Sequence, residues 1–256
     1  MTEGYEIFAY WGPRPETAAE CAPKVLRMLS TLAEISPHLA RWLGQRPRTK
    51  KIINASSLDL ADMTDLIAHG RNLSEDDYQP ILSLGYRFTF VNRERRDPLA
   101  VALYAKMGGY TTANLHANII WLETEPFDPR NADLISFPIF KSALLAFAGI
   151  WNASYCYAGP IGLAAMLPHD ERRMAPRFCG GWIVYLSPRF APMVVPPRAV
   201  VSERTSDGGL LMIATEERFS AENPAHMSAA RDIEAALAPV NALPWPPDAE
   251  PSAMGP

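Results

Sequence analysis

The sequence predicts a single α+β domain in which an antiparallel sheet packs with several helices. Three observations indicate this fold class. Strand-like segments, alternating or mostly apolar, occur between residues 80 and 215 with turn signals between them. Amphipathic helical patterns flank these strands on both sides. No repeat or linker divides residues 1–240, while residues 241–256 form a proline-rich tail that we expect to be disordered.

The first strand and the first helix are predicted at the start of this domain. Residues 5–11 (YEIFAYW) have the aromatic and β-branched composition of a strand, which Gly12 ends. Thr17 and Glu20 form the Thr-x-x-Glu pattern of a capping box, so a helix is expected to begin there. Its apolar residues recur on one stripe and its charged residues lie opposite, which is typical of a helix that packs on a core.

Two helical segments and a basic connection are expected before the main run of strands. A short helical piece over residues 37–43 leads into an exposed basic connection over residues 44–51. The pattern over residues 58–70 predicts a second helix, which Gly70 ends. The acidic stretch 73–77 is predicted to form a loop.

Three strands and a buried helix are predicted in the middle of the chain. Residues 86–91 alternate, residues 100–107 are mostly apolar, and residues 114–122 form a third strand-like segment. An antiparallel meander is the simplest arrangement of these strands. The apolar run over residues 137–151 is expected to be a core helix, because a membrane span needs about 20 residues. No contact with a membrane is therefore expected.

The last third of the chain is predicted to add strands and one more helix. Residues 155–157 and 181–186 are expected to be strands. Residues 200–204 and 210–215 flank a Ser-Asp-Gly-Gly turn, which predicts a β-hairpin. The Asn-Pro pair at 223–224 suits the N-cap and first position of the final helix.

The composition is that of an ordinary globular protein and argues against several functional classes. Hydrophobic residues make up 48% of the chain and charged residues 20%, which is enough apolar material for a core. A net charge of -4 argues against direct binding of nucleic acid. The first ten residues lack the regions of a secretory signal, and three widely spaced cysteines indicate no disulfide framework. We therefore expect a reduced, cytoplasmic protein.

No metal site and no cofactor site is predicted. None of the five histidines pairs with another at helical spacing, and Cys156, His169 and Cys179 match no zinc pattern. The sequence also has no nucleotide-binding glycine motif and no Gly-x-Ser-x-Gly elbow. Two alternatives stay open: a hydrolase that uses Cys156 or Cys179 with His169, and an adaptor of a secretion apparatus.

Acidic clusters are the candidate partner-binding residues. Three aspartates at spacings of three lie along one side of the predicted helix over 58–70, and three consecutive acids follow it in the loop. An acidic surface steers the approach of a basic protein, although a solvated acidic face is common on a chain of this charge. The candidate contacts are Asp59, Asp62, Asp65, Glu75, Asp76 and Asp77.

Two motifs are similar to those of a known family. The segment AYWGPR contains Trp11 and Gly12, and the segment GGWIVYLSP contains Gly181 and Trp182. Together with the E-T-A-A-E-C helix and the stretch DGGLLMIATEERFSAENPAH, they resemble the immunity protein 52 family over residues 5–240. Where that family has Pro-Gly-Trp, this chain has Gly-Gly-Trp.

The resemblance implies an α+β protein without catalytic activity, from the polymorphic toxin systems with which bacteria compete. Its expected partner is a cognate nuclease toxin with a restriction-endonuclease-like fold, delivered between cells by a system such as type VI secretion. Trp11, Gly12, Gly181 and Trp182 would then serve the structure. The identity of the toxin, inhibition by occlusion or by allostery, the location of the interface and the oligomeric state all stay open.

Overall fold

A ten-stranded antiparallel sheet forms the centre of the computed structural model. The structure describes residues 3–45, 51–74, 76, 78–94, 97–111, 118–167 and 178–243. The strands are β1 (Tyr5–Trp11), β2 (Leu43–Gln45), β3 (Ile52–Asn54), β4 (Tyr86–Val91), β5 (Val101–Met107), β6 (Asn118–Thr124), β7 (Tyr155–Pro160), β8 (Ile183–Leu186), β9 (Val201–Arg204) and β10 (Leu210–Ile213). The α-helices are α1 (Ala18–Ile35), α2 (Leu60–His69), α3 (Phe137–Trp151), α4 (Leu163–Met166), α5 (Pro224–Ala236) and α6 (Ala238–Asn241). The predicted α+β class is confirmed.

The first strand of the chain lies inside the sheet. The strand order is β3-β2-β4-β5-β6-β1-β7-β8-β10-β9, and each neighbouring pair is antiparallel. β4, β5 and β6 form the predicted meander, and β1 joins this meander to β7. The N-terminal strand therefore links both halves of the sheet.

Helices α1, α2 and α3 cover one face of the sheet. The capping box predicted at the start of α1 is present, because Thr17 and Glu20 each accept the other's backbone N–H through the side chain. α1 packs against both α2 and α3, and α3 also packs on β1. At that contact, Trp151 of α3 stacks on Trp11 of β1 with ring centroids 4.9 Å apart.

A second, smaller core lies on the opposite face. Side chains that alternate away from α1–α3 on β1, β7, β8 and β10 pack there with α5 and α6. Tyr155 stacks on Phe178 with ring centroids 4.3 Å apart. Asn241, which the domain prediction assigns to the tail, is the last residue of α6 and bonds the backbone of Phe178 at 2.8 and 2.9 Å. Residues 244–256 of that tail lie outside the described residues.

The second core does not extend over the whole sheet. On β4, β5 and β6, the side chains that point away from α1–α3 are exposed or half-buried. We call this surface the open face, and Glu6 and Phe8 of β1 lie at its border. Its members on the three strands are Arg87, Thr89, Val91, Ala102, Tyr104, Lys106, Ile119, Trp121 and Glu123.

The helical piece predicted over residues 37–43 is wrong beyond its first turn. Only Pro37–Leu39 form a 3-10 turn, and the chain then enters β2. Gly44 explains the difference, because a Cβ at this position would lie 2.8 Å from the ring of Phe90 on the neighbouring strand. Strand pairing thus takes the place of helix, and residues 46–50 of the predicted connection lie outside the described residues.

Two strands end later than the sequence predicts. β6 runs from Asn118 to Thr124, and residues 114–117 of its predicted span lie outside the described residues. It gains two residues, Glu123 and Thr124, and the hydroxyl of Thr124 accepts the backbone N–H of Tyr5 at 3.0 Å. β7 continues to Pro160 because it pairs with β1 from Tyr10 back to Tyr5. Within the described ranges, no helix combines the length and apolarity of a membrane span.

Candidate partner-binding surface

The predicted acidic contacts of the second helix lie on one exposed side of α2. This helix buries Met63 and Ile67, and it packs against α1 and β4. Asp59, Asp62 and Asp65 point away from that contact and are exposed. We call these three residues the acidic helix face. Their carboxylates form one negative surface that a protein partner can reach.

Two of these carboxylates also have local structural roles. Asp59 is the N-cap of α2, and its carboxylate accepts the backbone N–H of Asp62 at 2.8 Å. The carboxylate of Asp65 lies 3.3 Å from Nδ1 of His69 one turn later. Loss of an N-cap side chain typically costs about 1 kcal/mol of stability. Asp62 and Asp65 are therefore better probes of binding than Asp59.

The chain after α2 continues through an exposed segment, of which the structure describes residues 71–74, 76 and 78–82, and we call this segment the Tyr78 loop. An antiparallel bridge joins Arg71 to Tyr86 at its base, and a second joins Leu73 to Pro80. The guanidinium of Arg71 also lies 5.6 Å from the centre of the Tyr86 ring. These contacts fix the base of the loop on β4, directly after the C-terminal end of α2.

The Tyr78 loop carries large exposed side chains together with acidic residues. Asp76 is exposed, whereas the other two predicted loop contacts, Glu75 and Asp77, lie outside the described residues. The Tyr78 side chain is 74% exposed, and its backbone has a φ of 56°, which non-glycine residues seldom adopt. Leu82 is 60% exposed. Exposed aromatic residues are typical anchors of protein interfaces.

A cleft of about 270 Å³ separates the Tyr78 loop from the start of α1. Its walls include Leu82, Tyr110, Glu16 and Glu20. Glu16 forms an ion pair with Lys24, and the carboxylate of Glu20 belongs to the capping box of α1. Both carboxylates thus hold α1 in place. No group of His, Cys, Asp and Glu side chains within the described ranges could hold a metal ion.

The first pair of motif residues, Trp11 and Gly12, lies at the end of β1. Trp11 is buried in its stack on Trp151. The carbonyl of Gly12 accepts a hydrogen bond from the Asn118 side chain at 2.8 Å. The same Asn118 amide donates to the carbonyl of Gly109 at 2.9 Å. The Trp11–Gly12 pair therefore joins β1 to α3 and to the loop before β6.

The second pair of motif residues leads into β8. Trp182 is buried, lies edge-on to Tyr5 at 6.0 Å, and donates its indole N–H to the carbonyl of Thr215 at 2.9 Å. A Cβ at Gly181 would lie 2.6 Å from the ring of Tyr157. Both residues are thus buried packing positions.

The thiols of the hydrolase alternative are buried. Burial raises the pKa of Cys156 well above its usual range. Cys179 is buried as well, and its backbone N–H donates to the hydroxyl of Tyr155 at 2.8 Å. A nucleophilic cysteine needs an accessible thiolate. His169 lies outside the described residues, so the described part of the chain gives the Cys/His pair no support.

Sequence reasoning missed Tyr78, Leu82 and the open face. A single tyrosine or leucine after an acidic run is as consistent with a buried anchor as with an exposed one. The alternation of β4 and β5 carried a signal, since Arg87 and Lys106 occupy outward positions beside Tyr104. An outward aromatic residue between outward charges is typical of a surface with only one side buried.

Comparison with known proteins gives one family and one fold. A family model described as Immunity protein 52 matches residues 3–243, nearly the whole chain. No curated protein matches the chain significantly. Among solved structures, the chain is similar to one described as Pseudomonas aeruginosa T6SS protein PA0821, with a TM-score of 0.54 and 13% sequence identity. The similarity covers 93% of this chain and 77% of that one, and at this identity it shows the fold alone.

Proposed function

The chain belongs to the immunity protein 52 family, and we propose that it binds and neutralises a cognate nuclease toxin in competition between bacteria. The observation that carries this proposal is the family match over residues 3–243. The similar fold of a T6SS protein supports a secretion context. Such a protein acts without catalysis, because tight binding to the toxin is sufficient for protection.

The acidic helix face and the Tyr78 loop support a basic partner. A nuclease needs a positive surface to hold the phosphates of DNA. Asp62 and Asp65 present a matching negative surface, and Tyr78 in the loop that follows the same helix supplies an exposed aromatic anchor. We therefore propose that this side of the molecule contacts the DNA-binding surface of the toxin, with Asp59, Glu75, Asp76 and Asp77 as further contacts.

The site of action in this proposal is the cytoplasm. A nuclease delivered into a cell attacks DNA there, so protection requires the immunity protein in the same compartment. The cysteines suit a reducing environment, because Cys21, Cys156 and Cys179 are all buried and none belongs to a disulfide.

Co-expression tests the proposal most simply. The chain would be produced in a bacterial host together with the product of the neighbouring reading frame, and survival would be followed. We expect rescue from toxicity and a stoichiometric complex on purification. The proposal would be contradicted if the product of the neighbouring reading frame killed the cells although this chain was abundant and folded, and if no complex formed.

A charge-reversal variant tests the proposed surface. Asp62→Lys together with Asp65→Lys changes the acidic helix face by four charges and leaves the N-cap Asp59 in place. The matched control is Glu216→Lys with Glu217→Lys, two exposed residues after β10. We expect slower association of the first variant only, with a reduced dependence on salt. Equal association rates for both variants would place the interface elsewhere.

A further inference from the structure

The open face carries three rows of side chains with different chemistry. In the strand register, an aromatic row lies between an acidic row and a basic row. Each charged row is two residues along the strands from the aromatic row. The acidic row is Glu6 and Glu123, the aromatic row is Phe8, Trp121 and Tyr104, and the basic row is Lys106 and Arg87. Within the aromatic row, the rings of Tyr104 and Trp121 lie 5.6 Å apart.

The charges of this face have no counter-charges in the described part of the chain. No described cation lies within ion-pair distance of Glu6 or Glu123, which stand directly opposite each other on β1 and β6. Like charges in this position destabilise a sheet. Burial raises the pKa of Glu6 to about 7, and the Glu123 charge adds to the rise. Arg87 and Lys106 likewise have no described carboxylate as a partner.

We propose that a second copy of this chain covers the open face. In the resulting two-fold dimer, the acidic row of each copy meets the basic row of the other, and the two aromatic rows pack together. A second copy fits because the face carries both an acidic row and a basic row. Each ion pair would take its acid from one copy and its base from the other. The same surface is thus complementary to itself, as a two-fold interface requires.

The strand spacing shows where the two-fold axis must lie. With about 4.8 Å between strands and about 3.3 Å per residue, the centres of the acidic and basic rows are about 16 Å apart. The two-fold axis lies in the plane of the interface and passes between Tyr104 and Trp121. When it is perpendicular to the line joining the two centres, it exchanges the acidic and basic rows. The strands of the two sheets then cross at roughly 70°, close to the orthogonal class of sheet packing.

The size of the face indicates a weak, reversible dimer. Leu43 of β2 and Ile52 of β3 continue the face with apolar groups, and Ile52 is 69% exposed. From β3 to β1 the face is about 24 Å wide; it is about 20 Å long on β4, β5, β6 and β1 but only about 10 Å long on the short strands β2 and β3, which gives roughly 400 Å² for each copy. A total of about 800 Å² is below the standard size of specific interfaces and in the range of weak, transient complexes. We therefore expect association in the micromolar range.

Sedimentation velocity from about 1 to 500 μM at low salt tests the dimer. We expect the purified chain to move from monomer to dimer in this range, and to shift toward monomer at high salt. Arg87→Glu with Lys106→Glu should weaken association at least tenfold, because acid would then face acid. The matched control, Arg27→Glu with Arg231→Glu on exposed helix positions, should dimerise normally.

A mixing experiment separates this geometry from other dimers. Glu6→Lys with Glu123→Lys makes the face wholly basic, and Arg87→Glu with Lys106→Glu makes it wholly acidic. Each variant should be monomeric alone, and the two should associate when mixed. If the basic variant does not fold, its circular dichroism will show this, and the acidic variant still decides the question. A monomer at all concentrations, or a dimer that ignores the reversals, would overturn the proposal.

This dimer is independent of toxin binding. The open face and α2 lie on opposite sides of the sheet, because α2 packs in the core that lies under α1–α3. The variant Arg87→Glu with Lys106→Glu should therefore bind the toxin like the unmodified chain. Failure of the dimer would leave the immunity function untouched, and failure of the toxin complex would leave the dimer testable.

Discussion

Gly181→Ala is the substitution whose effect the structure fixes most closely. The added Cβ would lie 2.6 and 2.7 Å from two atoms of the Tyr157 ring and 3.0 Å from the carbonyl oxygen of Ala158. An ordinary contact needs about 1 Å more. The ring cannot yield easily, because Tyr157 is buried and stacks on Phe8 with centroids 4.9 Å apart.

The expected loss follows from the cost of overpacking a core. Insertions of this kind typically cost 1–3 kcal/mol, and this rigid site should reach about 3 kcal/mol. For a domain of this size, each kcal/mol lowers the melting temperature by about 2–4 °C, so a decrease of roughly 6–12 °C is expected. Thermal unfolding followed by circular dichroism measures it.

Gly149→Ala is the matched control. Gly149 lies in α3, and no atom lies within 4 Å of the position that its Cβ would take. Alanine there should be neutral or should stabilise the helix by about 0.5–1 kcal/mol. If Gly181→Ala melted within 2 °C of the unmodified chain, Gly181 would not be the packing position described here.

Two further predictions concern titratable groups whose pKa is raised by burial. Burial, aided by the Glu123 charge, raises the pKa of Glu6 from 4.5 to about 7. The folded state therefore binds a proton more tightly than the unfolded state, and stability falls as pH rises from about 4.5 to 7. Glu6→Gln should remove this decrease in the free energy of unfolding, which amounts to at most about 3 kcal/mol. Urea titrations at pH 5 and 8 measure it, and an unchanged pH dependence would contradict the prediction. Burial also raises the pKa of Cys21 to about 12 and holds that of Cys156 well above its usual range. A thiol reagent should therefore label both only after unfolding, and rapid labelling of native Cys156 would reopen the hydrolase alternative.

The elements that local chemistry determines could be predicted from the sequence. The capping box fixes the start of α1, and the Asn223–Pro224 pair fixes the start of α5 through the Asn223 side chain, which accepts the Ala225 N–H at 3.0 Å. The Ser-Asp-Gly-Gly turn likewise joins β9 to β10. In each case, a few adjacent residues carry the whole signal.

Features that depend on distant partners could not be predicted. β2 is a strand because Gly44 meets the Phe90 ring, a contact between residues far apart in the chain. The central position of β1 depends on pairing with β6 and β7 at the same time. The open face is exposed only because the second core ends at β1. The residue pattern of a single strand does not show where that core ends.

Candidate contact residues were partly accessible from the sequence. The spacing of Asp59, Asp62 and Asp65 predicted a common side of α2, and the structure places them on its exposed side. Their contact with a toxin stays a prediction. The exposure of Tyr78 could not be read from its neighbours, because it depends on how the loop closes between Leu73 and Pro80.

Titration of the purified toxin with this chain shows whether the chain neutralises it. DNA cleavage would be followed while the chain is added in increasing amounts, with heat-unfolded protein as a control. We expect cleavage to fall to zero near one equivalent of folded chain per toxin. Cleavage that continues at a large excess of folded chain would show that the protein does not neutralise this toxin.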